Sequence, residues 1–273
     1  MKKKYSTWDS SKVCLDPRPS ARKLGRVNIR ALTSAVLISG LLAATELPSG
    51  EDVLRAFIEH SGGADTYTRA KSAEMTGTVE IAGRNIAGKV SMVEAGTKSR
   101  TSMELPGIGK MELGFDGDTA WENSSLQGPR IIEGDEKSAM ERSSSFALVT
   151  SWHEEYKTIQ TVGEEDVDGK PAWKVEMTPK QGNPETFYFD KASSLLVRMA
   201  TVMSTPLGEI PTDMTLSDYR MVDGISTPFT TTQNAMGQSI VMHFDKIIYN
   251  APLANDAFAL PDPVKALLAK RQQ

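Results

Sequence analysis

The chain has one cysteine, Cys14, in 273 residues. No intrachain disulfide, cysteine-based zinc site or iron–sulfur cluster can be built from a single thiol. Histidine is almost as scarce: His60, His153 and His243 lie far apart, and no two have a helical metal-ligand spacing. Aromatic residues make up only 7 %. There is no GxSxG elbow, no HExxH pair, no phosphate-binding P-loop and no GxGxxG after a strand, which removes the usual hydrolase, metalloprotease and nucleotide signatures. Excess positive charge is missing from the body of the chain. The first thirty residues carry nine Lys/Arg against two Asp/Glu, so the remainder is acidic although the whole is only −4. Phosphate backbones need clustered Lys and Arg, so nucleic acid is excluded as a partner.

What is present begins with an address. Residues 31–45, ALTSAVLISGLLAAT, are almost wholly apolar and follow Arg22, Lys23, Arg26 and Arg30. A basic segment, a short apolar run and small residues are the layout of a secretory signal peptide. The run is short for a membrane span, and Ala43-Ala44 offers a cleavage zone, most simply after Ala44. Retention as an N-terminal anchor is the alternative. Cys14 precedes the apolar run, where a lipid-attachment cysteine would follow it. The division is therefore a signal peptide over 1–45 and a mature domain over 46–273, expected in the periplasm.

Ser49, with Glu51 and Asp52 behind it, opens a helix bearing Val53, Leu54, Phe57 and Ile58 on one face, and Gly62-Gly63 stops it. From Ser72 the apolar period falls to two. Met75, Gly77, Val79 and Ile81 alternate with polar neighbours, as do Ile86, Gly88, Val90 and Met92, then Met111, Leu113 and Phe115. Such alternation marks antiparallel strands with one buried face. Asp116-Gly117, Asp168-Gly169 and Asp223-Gly224 lack the dense acidic spacing of a calcium loop and read as hairpin turns. Residues 133–153 break the rhythm and read as one or two helices. Glu133, Asp135 and Glu136 suit a helix start, and Trp152-His153-Glu154-Glu155 a solvated helix end. Strands resume at Tyr156. Trp173, Val175 and Met177 share a face, as do Phe187 and Phe189, and Arg198 is placed opposite Val197 and Met199. Met214–Val222, Ile225–Asn234 and Ser239–Tyr249 complete the set, and Val264–Lys270 reads as a short C-terminal helix.

The tally is ten or eleven strands without a βαβ rhythm: a mainly β fold, one strongly curved antiparallel sheet or unclosed barrel lidded by helices. Thirteen methionines, many in the apolar phase of strands, either fill an ordinary core or line a surface that adapts to apolar ligands.

Several segments resemble the outer-membrane lipoprotein-sorting (LolA/LolB-like) superfamily. Ile58-Glu59-His60-Ser61-Gly62-Gly63 is similar to its opening helix and turn. Phe115-Asp116-Gly117-Asp118-Thr119-Ala120-Trp121 resembles a recurrent turn, with a counterpart at 167–175. Phe187-Tyr188-Phe189-Asp190-Lys191 before Leu195-Leu196-Val197, and Asp218-Tyr219-Arg220-Met221-Val222-Asp223-Gly224-Ile225 with Pro228, resemble later hairpins. The resemblance covers most of residues 50–265 and implies an unclosed barrel that carries lipoprotein acyl chains or other lipids between sheet and helices, without an enzymatic step, cofactor or metal.

The candidate cavity residues are Val79, Ile81, Val90, Met92, Met111, Leu113, Phe115, Trp173, Val175, Met177, Phe187 and Phe189. The candidate lid residues are Met140, Phe146, Val149 and Trp152. The expected partners are a lipid or acylated protein and outer-membrane or other envelope proteins, with the chain itself a monomer. The alternative is a non-catalytic envelope interaction or sensor module whose core is filled.

Overall fold

The structure, a computed structural model, describes residues 46–271 apart from 146–147 and 206–207. The signal-peptide reading of 1–45, Cys14 and the lid candidate Phe146 lie outside the described residues. Helix α1 (Gly50–Ser61) starts where the sequence places it: the Ser49 Oγ accepts from the Asp52 N–H at 3.1 Å, satisfying one of the donors a helix start leaves unpaired. A short α2 (Ala64–Arg69), not expected from the sequence, follows the glycine pair.

Thirteen strands then form a single antiparallel sheet, two or three more than expected. The first group is β1 (Ser72–Ile81), β2 (Ile86–Ala95), β3 (Lys98–Leu105), β4 (Gly109–Phe115), β5 (Ala120–Ser124) and β6 (Gly128–Ile132). Helices α3 (Gly134–Ser144) and α4 (Leu148–Glu155) follow. The second group is β7 (Tyr156–Val167), β8 (Lys170–Pro179), β9 (Glu185–Asp190), β10 (Leu196–Thr205), β11 (Gly208–Val222), β12 (Ile225–Ala235) and β13 (Gln238–Tyr249), before the closing helix α5 (Asp262–Arg271). β5 and β6 are only five residues each, and β11 starts six residues before Met214 with little apolar alternation, which is why period counting undercounts and shortens them.

The sheet order is β6-β5-β4-β3-β2-β1-β13-β12-β11-β10-β9-β8-β7. The two edge strands, β6 and β7, are consecutive in the chain, yet they do not pair. The helical segment α3–α4 joins them instead, so the sheet curves without closing. Curvature needs places where neighbouring strands approach closely. At Gly77, where a bulge shifts the β1–β13 register, an added Cβ would lie 1.9 Å from the His243 carbonyl oxygen; at Gly88 it would lie 1.9 Å from that of Glu104. Glycine in a strand interior marks such a bend or close approach. All three Asp-Gly pairs turn hairpins, and at two of them both residues take positive φ: 50° and 76° at Asp168-Gly169, 48° and 86° at Asp223-Gly224. That backbone matches the twist of the flanking strands.

Cross-strand register fixes the two faces. Helices α1, α3 and α4 lie on the inner face, where Val53, Leu54, Phe57 and Trp152 meet Val175, Met177, Phe187 and Phe189. The tail after β13 and α5 cover the outer face of β3–β6, with Val264 fully buried and the Arg100 guanidinium reaching the Ala257 carbonyl. One face assignment is corrected. Val197 packs with the outer-face residues Val167, Ala172, Tyr188 and Ala200, because the β9–β10 register shifts between Leu196 and Arg198. A one-residue irregularity sends a side chain to the opposite face. Among the described residues no helix is long and apolar enough to cross a membrane.

Candidate functional site

The inner face is not one uniform core. Beneath α1 and α4 it is filled: Val175, Met177, Phe187 and Phe189 are buried, the Phe57 and Phe189 rings lie 5.5 Å apart, and Trp173, Trp152 and Leu148 pack around them. Near the start of α3, Phe115, Ala120 and Ile132 meet Met140. Between these lies a third cluster: Val79, Val90, Met103, Phe229, Phe244 and Ile247, with the half-buried Met75, Met92, Met111, Leu113, Ile240 and Met242 against it. Every member of this third cluster comes from a strand. Among the described residues no helical side chain contributes to it.

The sequence candidates therefore separate into three groups. Val79, Val90, Met92, Met111 and Leu113 belong to the strand-only cluster. Trp173, Val175, Met177, Phe187, Phe189 and Trp152 are engaged by helix packing, and Phe115 and Met140 pack together in a separate cluster. Ile81 is buried at the end of β1 and Val149 is half-buried on α4; neither joins a cluster. Sequence reading missed the contribution of α1, which occupies the inner face, and missed Met103, Phe229, Phe244 and Met242. It also missed Glu94. On β2 the inner-facing phase runs Val90, Met92, Glu94, and the acid opposes Ala73 on β1 and Ser99 on β3. A carboxylate in the apolar phase of a strand was the available signal.

Burial alone pushes the Glu94 carboxyl up, to about 7. Protein surrounds the group on nearly every side, yet the residue is half-buried and keeps some accessible surface. Tyr249 flanks Ala73 from the β13 side and its hydroxyl lies 2.8 Å from that of Thr227. On the other side the Ser99 and Ser144 hydroxyls are 2.6 Å apart. At this end of the strand-only cluster Glu94 has Ser99 as its cross-strand partner and acts electrostatically on the Tyr249 phenol.

Helix α3 is held over this face mainly by polar contacts. At its start, Arg130 of β6 binds both Glu122 of β5 and Glu136 of α3, each at 2.6 Å. At its end, the buried Arg142 pairs with Glu185 of β9, which also accepts from the Tyr156 hydroxyl at 2.6 Å. Burial would lower the Arg142 guanidinium, but Glu185 outweighs it and the net shift is upward. Burial and then the Glu185 charge push the Tyr156 phenol far up. Both sides of the pair are desolvated, so removing either leaves a buried charge without its partner.

The outer face also carries a cleft of ≈ 500 Å³ between the strands and the tail at 252–257. Its charges are already matched. Burial would raise the Glu112 carboxyl, but Arg100 at 2.7 Å and Lys110 at 3.0 Å hold it below the ordinary carboxylate value. No group of three or more His, Cys, Asp or Glu among the described residues is arranged to hold a metal ion.

No family model and no curated protein matches the chain. Solved structures do. A domain described as that of an outer membrane lipoprotein-sorting protein from Vibrio parahaemolyticus is 14 % identical, covering 80 % of this chain and 99 % of its own, with a TM-score of 0.51. A DUF1329 family protein from Desulfovibrio piger is 16 % identical over 76 % and 96 %, at 0.52. A LolA superfamily protein from Nitrosomonas europaea is 10 % identical over 78 % and 99 %, at 0.50. With an open antiparallel sheet joined across its edges by helices, and these three structures superposing along nearly their whole length, the chain has a LolA-like fold.

Proposed function

We propose that this protein binds and carries a hydrophobic ligand, an acyl chain of a lipoprotein or another lipid, between the inner face of its sheet and the helices. The observation that carries the reading is the strand-only, methionine-rich cluster. Its apolar side chains share the inner face with α1, α3 and α4, yet among the described residues no helical side chain packs against them, and half of them retain accessible surface. Methionine suits such a surface, being unbranched, polarizable and able to follow irregular apolar shapes. Burial of an alkyl chain contributes about 0.8 kcal/mol per CH₂, so binding needs no covalent step. The Vibrio domain that shares this fold is described as that of an outer membrane lipoprotein-sorting protein, which is in keeping with the reading. The ligand-facing residues in this reading are the half-buried Met92, Met111 and Leu113, joined by Met75 and Met242, over the buried Val79, Val90 and Met103; Met140 belongs to the cover. The protein acts without catalysis in the periplasm, delivered there by the segment 1–45.

Native mass spectrometry of protein purified without detergent, beside a denatured control, tests the reading. A non-covalent mass lost on denaturation supports it and identifies the cargo class. A bare mass that takes up no added phospholipid, fatty alcohol or acylated peptide overturns it. The alternative, strand addition by a partner at an open edge, is opposed at β7 by the register break at Thr161–Gly163, since bulges blunt an edge.

A further inference from the structure

We propose that Glu94 selects the head group of the ligand: the groove takes an amphiphile with a cationic, ammonium-type head seated at Glu94, its chain lying along the methionine-rich strip. The proposal rests on the binding reading above and names the substrate class of that same site. Glu94 stands at the end of the apolar phase of β2, directly after Met92 and Val90. Among the described residues its carboxyl has neither a hydrogen bond nor an ion pair. The Glu94 charge acts on the Tyr249 phenol of β13, which Tyr67 of α2 and Asp223 of the β11–β12 turn also neighbour electrostatically; among the described residues no cationic group acts on the Glu94 carboxyl. Arg100, two strand positions beyond the β2–β3 turn, opposes Val93 on the outer face and is engaged by Glu112; Lys98 lies exposed at the turn.

A carboxyl buried without a cation is costly when ionised. A ligand that brings the cation removes that cost and gains a charge-assisted hydrogen bond. A carboxylate or phosphate head at the same position adds a second negative charge and is rejected. The hydroxyls of Ser99, the cross-strand partner of Glu94, and of Tyr249 can accept the remaining ammonium protons.

The test uses the full chain at pH 7.5 and 150 mM salt, with dodecylammonium, dodecanol and dodecanoate as probes below their micellar concentrations. Displacement of the neutral dye N-phenyl-1-naphthylamine reads each affinity. Dodecanol should bind, dodecylammonium should bind at least tenfold more tightly, and dodecanoate at least tenfold more weakly. In Glu94→Gln the three should fall within about threefold of one another. The wild-type ranking alone is decisive if it fails: equal affinities for the three probes overturn selection while leaving the binding reading intact. No binding of any of the three probes overturns the binding reading itself. An unchanged ranking in folded Glu94→Gln assigns the preference to the protein's overall negative charge and overturns the role of Glu94.

Discussion

Replacing Glu94 by Gln should make the protein more stable, and only at neutral and alkaline pH. The carboxyl titrates near 7 in the folded protein, against an ordinary 4.5, because burial disfavours its charged form. The folded state therefore holds the proton more tightly than the unfolded chain. Stability from this group is fully present below about pH 4.5 and is lost progressively as pH rises from there through 7. A difference of this size corresponds to roughly 3 kcal/mol once both states are ionised. Glutamine has the same shape and never ionises, so it escapes the loss. Urea denaturation of both proteins across pH 4–9 should give curves that converge at the acid end and separate by roughly 3 kcal/mol at the alkaline end, with most of the gap opening between pH 4.5 and 7. Carboxylates held low by partners, such as Glu112 and Asp190, weaken the fold only at more acid pH and do so equally in both proteins. Two curves that stay parallel within about 0.5 kcal/mol would show that water reaches the Glu94 carboxylate freely, and the enclosed end of the groove would have to be abandoned.

Three further outcomes are expected. Met111→Asp, at a half-buried position of the strand-only cluster, should abolish dye and alkyl binding while circular dichroism stays that of the folded protein; Phe189→Asp, in the filled part, should instead prevent folding. Arg142→Ala should destabilise by about 3–5 kcal/mol in urea titrations, since it strands Glu185 inside the protein, and Arg142→Met together with Glu185→Leu should recover most of that loss. Gly88→Ala should cost more than the roughly 1–3 kcal/mol of ordinary overpacking, because the new methyl would meet the Glu104 carbonyl of the paired strand rather than a movable side chain; a fall in Tm of only a degree or two would contradict that close approach.

Local signals carried most of the architecture. Period-two alternation located nearly every strand, Asp-Gly pairs located three hairpins, and Ser49 with its acidic neighbours located the first helix, because each depends on backbone preferences within a few residues. The same signals faded at β5 and β6, which are short, and at the start of β11, where threonine, proline and charged residues replace alternating apolar ones. Val197 shows the limit most plainly: its phase predicts the inner face, and a single register shift puts it outside.

The amino-acid sequence by itself determined that this is an antiparallel β protein with an apolar, methionine-rich phase and a helical segment between two runs of strands. Tertiary structure decided what that phase does. Pairing of β1 with β13 brought Glu94 and Tyr249 to either side of Ala73, and residues so distant along the chain share no local pattern. Packing of α1 and α4 filled one stretch of the inner face and, among the described residues, left the stretch from Met75 to Met111 to strand side chains alone. Alternation gives the face a residue occupies; only the positions of the helices determine whether that face is covered or remains open to a ligand.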